Sequence, residues 1–178
     1  GEDGFAHLDL WAETPTVERV SSGYNAGREK LPVYKMPHLE GWAQSGGSLL
    51  VPAAGQHEAL LLDLDTMKEQ ARIPLHSQPV FCVARPDGRE VWINFAHPAN
   101  DTVQVFDMPS RKIVHTFKPG PAVLHLEFTP RGHEVWISVR DADRIDIYDV
   151  KTREKKAELP AAKPSGIFFT ARAHRLGA

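Results

Sequence analysis

Histidine is the residue type in this chain with the most chemistry to offer, and the sequence holds nine of them. Imidazoles change charge near neutral pH. Several around one opening could therefore ligate iron or another metal, or work as an acid and a base. His125 stands out because it interrupts the apolar stretch Ala122-Val-Leu-His-Leu126, where a polar group costs stability unless it is paired. A functional reading is favoured there. His38 lies four residues before Trp42, an aromatic side chain that could be core or the wall of a ring-binding pocket. His57 and His97 sit in polar surroundings and read as solvated, while His76, beside Ser77-Gln-Pro79, is open to either reading. The lone Cys82 excludes an internal disulfide, a two-cysteine haem attachment and a cysteine-pair zinc site. No nucleophile elbow, phosphate loop or dinucleotide fingerprint is present.

The elements that must position these residues follow from an internal repeat. Arg85-Pro-Asp-Gly-Arg-Glu-Val-Trp-Ile93 returns as Thr129-Pro-Arg-Gly-His-Glu-Val-Trp-Ile137, and Val103-Gln-Val-Phe-Asp107 returns as Ile145-Asp-Ile-Tyr-Asp149. A period in the forties, filled by short apolar alternations between turn residues, predicts an all-β β-propeller of four-stranded antiparallel blades. One blade is predicted as Val80 to Arg85, Glu90 to Phe95, Thr102 to Asp107 and Lys112 to Phe117. The next is Val123 to Thr129, Glu134 to Val139, Arg144 to Asp149 and Glu154 to Leu159. The chain then divides into a partial blade over 1–35, blades at about 36–77, 78–119 and 120–162, and the start of a further blade over 163–178.

In the partial blade, His7 to Trp11 and Thr16 to Val20 read as two strands, and Ser165 to Thr170 as another innermost strand. Residues 21–35 form a long polar loop. About four blades can be supplied, so the chain either closes a small four-bladed ring or is half of a larger one. The second is favoured because neither broken end supplies a second strand. Half a ring would need the missing N-terminal half or a homo-oligomer partner to cover its sheet edges.

Blade geometry sorts the loops. Pro86-Asp-Gly88 and Pro130-Arg-Gly132 fall on one face, whereas His38, Val80 and His125 fall at comparable rims of successive blades on the other. Trp92 and Trp136 read as core. Asp63, Asp107 and Asp149 recur at one blade position and read as turn acceptors. Arg140-Asp-Ala-Asp-Arg144 reads as a self-neutralised surface loop, and the sequon-like Asn100-Asp-Thr102 as a turn. A net charge of -2 and a pI near 6.5 give no reason to expect nucleic acid as a partner. No apolar run approaches the roughly 18 residues of a membrane-spanning helix.

Several stretches resemble the haem-d1 propeller family. They are Tyr34-Lys-Met-Pro-His-Leu-Glu-Gly-Trp42, Ile73 to Gly88, Pro121-Ala-Val-Leu-His-Leu-Glu-Phe-Thr-Pro-Arg-Gly132 and Pro164-Ser-Gly-Ile-Phe-Phe-Thr-Ala-Arg-Ala-His-Arg175. The resemblance covers nearly the whole chain and implies the C-terminal half of an eight-bladed protein. His38-Leu-Glu-Gly-Trp42 resembles the distal-histidine motif of the d1 domain of cytochrome cd1 nitrite reductase. A second distal histidine of that reductase would fall near Pro79-Val80, where none stands, and this argues against nitrite reduction. His125 has no counterpart in the reductase pattern but would share the same mouth. The family's proximal iron ligand belongs to an earlier part of its chain.

The resemblance implies binding of haem d1 or dihydro-haem d1, with His38, Trp42, Val80 and His125 as the residues around the ligand. It implies a late step of haem d1 biosynthesis, such as hydrolytic opening of side-chain lactones, with His38 and His125 as acid and base. The alternatives are a non-catalytic haem d1 carrier, the d1 domain of a nitrite reductase-like oxidoreductase, or an interaction scaffold. Nitrite reductase and other haem d1 biosynthesis proteins are the implied partners, and the periplasm the implied compartment.

Overall fold

The structure, a computed structural model, describes residues 3–34 and 41–169. Their regular structure is β throughout apart from one 3-10 turn at Arg140–Ala142. The first two strands, β1 (Phe5–Leu8) and β2 (Val17–Val20), form an antiparallel pair. Three four-stranded sheets follow. The first holds β3 (Ala43–Ser45), β4 (Ser48–Ala53), β5 (Glu58–Asp63) and β6 (Glu69–Pro74). The second holds β7 (Pro79–Ala84), β8 (Glu90–Phe95), β9 (Val103–Asp107) and β10 (Lys112–Phe117). The third holds β11 (Val123–Phe128), β12 (Glu134–Val139), β13 (Arg144–Asp149) and β14 (Lys155–Pro160). Each is a meander in which every strand pairs antiparallel with its sequence neighbour, the pattern of a propeller blade. The all-β fold class expected from the repeat is the one observed.

Successive sheets stack face to face because strand side chains alternate between two faces. On β8, Trp92 enters the core shared with the third sheet, beside Leu126, Phe128 and Ile137. Its neighbours Val91 and Ile93 enter the core shared with the first sheet, beside Leu50, Leu61 and Ile73. A third core joins Val20 and Tyr24 to Val51, Leu60 and Leu62. The outermost strand β10 alternates exposed and half-buried residues along its whole length. Blade order in sequence is thus blade order in space.

Two expectations need correction. Trp92 is 0% exposed, but Trp136 is only half-buried. Trp92 is covered by Phe128 of the next sheet, whereas Trp136 has Phe169 edge-on at 5.3 Å and stays partly open. Among the described residues, 165–169 form no strand, and Thr170 lies outside them. The Ile167 N–H donates to His125 Nδ1 at 3.1 Å instead of to a ladder partner.

The repeated turns explain the repeated residues. Gly88 and Gly132 adopt φ of 70° and 66°, and their N–H groups donate to Arg85 and Thr129 carbonyls at 2.7 Å. A Cβ on Gly132 would stand 2.9 Å from Pro86 Cδ of the preceding blade. We expect Gly132→Ala to cost about 1–2 kcal/mol in urea unfolding, because it combines an unfavourable backbone conformation with that contact.

The recurring aspartates close the outer hairpins. Asp63 accepts from the Thr66 N–H at 2.8 Å, Asp107 from that of Ser110 at 3.0 Å and Asp149 from that of Thr152 at 2.8 Å. These hydrogen bonds favour the ionised form. Thr66 holds the Asp63 carboxyl below the usual carboxylate range, Ser110 does so for Asp107, and the Thr152 backbone for Asp149. The stability they contribute is present above the ordinary carboxylate pKa and disappears as pH falls through the lowered native values. Tm should therefore fall as pH drops through and below the ordinary carboxylate range. A variant with all three changed to Asn should show a shallower acid limb.

Candidate functional site

The rim that carries His125 is shaped by a bulge repeated in two sheets. Pairing between β7 and β8 jumps from Pro79 opposite Phe95 to Phe81 opposite Asn94, which leaves Val80 as the extra residue. Pairing between β11 and β12 jumps from Val123 opposite Val139 to His125 opposite Ser138, which leaves Leu124 as the extra residue. A bulge of this kind frees a backbone N–H and re-aims the side chain that follows it. The second strand supplies the missing acceptor in both sheets. Phe81 N–H donates to Asn94 Oδ1 at 3.0 Å, and His125 N–H to Ser138 Oγ at 2.9 Å. Asn94 Nδ2 also donates to the Val123 carbonyl of the next sheet at 3.1 Å, fastening the two rims together.

That register changes which residues are equivalent. Phe81, not Val80, is the mate of His125. Val80 is 1% exposed and clusters with Phe81 and Ala96, so it lies beneath the rim rather than on it. Asn94→Ala would leave the Phe81 N–H and the Val123 carbonyl without this partner in a buried setting. We expect a loss of about 2–4 kcal/mol in urea unfolding at 25 °C.

His125 is 6% exposed, and it meets the pairing requirement of a buried polar group through the chain that follows the last sheet. Its Nδ1 accepts the Ile167 N–H, so Nδ1 carries no proton and the single proton of a neutral ring sits on Nε2. The ring touches two phenylalanines. Phe81 meets it edge to face, with centroids 5.0 Å apart, and Phe168 lies tilted by 39° at 5.3 Å. The result is an aromatic rim with a hydrogen-bonded imidazole at its centre.

The remaining predicted residues are placed differently. His38 lies outside the described residues. Trp42 is 38% exposed and takes Phe5 as an edge-on partner at 4.7 Å. Gly41, just before it, accepts the Cys82 N–H at 2.8 Å, tying the head of the first four-stranded sheet to β7. His76 packs edge-on to Phe95, and His97 to Tyr34. His57 and His133 are exposed, as their polar settings imply. His115 stacks on Phe117, and burial depresses its pKa.

Arg140 pairs with Asp141, while Arg144 turns to the buried Asp146 and the Pro119 carbonyl. The loop is therefore neutralised within itself only at Arg140 and Asp141, since Arg144 pairs with Asp146 and Asp143 with Lys163, both outside it. Cys82 is buried and desolvation pushes its thiol well up, so it offers neither nucleophile nor ligand. Among the described residues no group of three or more His, Cys, Asp or Glu side chains could hold a metal ion.

Sequence reasoning missed Phe81, Asn94, Ser138 and Phe168. A signal existed for Asn94 and Ser138, which are polar residues at matching positions of otherwise apolar inner strands, Ile93-Asn-Phe95 and Ile137-Ser-Val139. None existed for Phe168, whose place depends on a chain path without regular structure.

A family model described as "Cytochrome D1 heme domain" matches residues 1–173. The chain is 51% identical to Protein NirF of Stutzerimonas stutzeri and 50% identical to Protein NirF of Pseudomonas aeruginosa, over 99% of its own length in both cases. It covers 45% of each of those proteins, so it spans about half the length of the relatives it matches. A dihydro-heme d1 dehydrogenase of Pseudomonas aeruginosa is 28% identical over 78% of this chain and 30% of its own. Among solved structures, the dihydro-heme d1 dehydrogenase NirN in complex with DHE superposes with a TM-score of 0.72 at 23% identity. That alignment covers 93% of this chain and 34% of that one, a likeness of fold.

Proposed function

The chain belongs to the cytochrome D1 heme domain family, and from that premise we propose that it binds a d1-type tetrapyrrole and serves a late step of haem d1 biosynthesis. The observation that carries the reading is the rim built from Phe81, His125 and Phe168, which sets an imidazole against two aromatic rings at the head of an inner strand. Flat conjugated macrocycles are recognised by such surfaces, because aromatic faces stack while a few polar groups fix orientation. The buried Cys82 fits this picture, since the ligand would be held without a covalent link to that thiol.

The reaction proposed is hydrolytic opening of lactone rings on the macrocycle side chains to give dihydro-haem d1. Water adds to the acyl carbon and the ring C–O bond breaks, leaving a carboxylate and a hydroxyl on each opened side chain. His125 is assigned the acid role at the lactone carbonyl, where negative charge develops on the oxygen. His38 is assigned the complementary role, taking a proton from the attacking water. Trp42 would shape the pocket between them. By the same resemblance the protein acts in the periplasm, where nitrite reductase and other haem d1 biosynthesis proteins are its proposed partners.

Full-length protein incubated with the lactone-bearing precursor should yield a product heavier by one water per ring opened. Unchanged precursor that nonetheless stays bound would replace hydrolysis by a carrier role.

A further inference from the structure

Phe168 is 61% exposed, yet it is held in one place from two sides. The neighbouring Ile167 N–H is bonded to His125 Nδ1, and the Phe168 ring leans on the His125 ring with centroids 5.3 Å apart. Beneath it, Gly166 leaves room for the ring to lie against the backbone. A Cβ at that position would come 2.8 Å from Phe168 Cε2. A large apolar ring left mostly in water contributes little to folding, so fixing it there has its use in what the ring can bind. The hydrogen bond also gives the segment a defined position over the rim despite its lack of a strand ladder.

We propose that Phe168 is a stacking wall for the face of a flat conjugated macrocycle, positioned by Gly166 and by the Ile167–His125 hydrogen bond. The inference rests on the tetrapyrrole reading given above and adds to it a residue that determines how the ligand lies. Phe81 of the preceding sheet backs His125 from within the core, edge to face at 5.0 Å.

Absorption titration of full-length protein with haem d1 tests it. Wild type should bind; if it does not, the tetrapyrrole reading fails and the wall with it. Given binding, Phe168→Ala should weaken affinity by about tenfold and alter the bound spectrum, because one aromatic stacking contact is lost. Phe168→Trp should restore binding, since it keeps a ring. Gly166→Ala should weaken binding less, by displacing the ring without removing it. Wild type and Phe168→Ala titrating alike would overturn the wall. Equal loss in the Ala and Trp variants would do so as well, because the presence of a ring would then not matter.

Discussion

Trp92→Ala is expected to destabilise the protein by about 3–5 kcal/mol, the range for truncating a fully buried aromatic side chain. Trp92 is 0% exposed and stands where two sheets meet, edge-on to Phe117 at 5.6 Å and to Phe128 at 5.7 Å. Its indole N–H reaches Glu90 Oε2 at 3.2 Å, so the substitution opens a cavity and strips a partner from a buried carboxylate. Trp136→Ala at the equivalent position should cost distinctly less, because that indole is only half-buried. Urea unfolding of the two variants side by side gives the contrast. Equal losses would mean that the two tryptophans do not differ as their burial says.

Changing both His38 and His125 to Ala is expected to reduce precursor turnover by about 10²–10⁴-fold, the range for loss of acid–base assistance, while the tetrapyrrole still binds, though more weakly because the Phe168 ring loses its support. His125→Ala also removes the acceptor for the Ile167 N–H, so lost positioning must be separated from lost chemistry. His125→Asn serves that purpose. Its side-chain oxygen can accept from Ile167, but an amide is neither a titrating acid nor a base. Turnover of the Asn variant should stay low while its haem d1 spectrum returns towards wild type. Wild-type turnover by the double variant would remove both histidines from the reaction.

The fold was legible because it is written twice. Pro86-Asp-Gly88 and Pro130-Arg-Gly132 mark the same tight turn, Glu90–Phe95 and Glu134–Val139 the same buried strand, and the three aspartates the same hairpin. Repetition separates scaffold from chance, and the positive φ of the tight turn is filled by glycine in both copies, Gly88 and Gly132.

The site was legible only in part. His125 could be singled out because an imidazole in an apolar run must have a reason, and its partner turned out to be the Ile167 N–H. Val80 was misplaced by one residue because a bulge leaves no mark in hydrophobic alternation, and a slip of one residue exchanges the faces of a strand. Phe168 was hidden for another reason. Its position depends on a long-range hydrogen bond and on the missing Cβ of Gly166, neither of which has a local pattern.

Titration of haem d1 into the full-length protein, followed by its absorption spectrum, tests most directly whether this chain forms part of a tetrapyrrole-binding propeller. A saturable shift of the haem bands, reaching its end point at one equivalent, is the predicted result. A spectrum identical to that of free haem d1 at every ratio would contradict the claim and leave the propeller as a scaffold without this ligand.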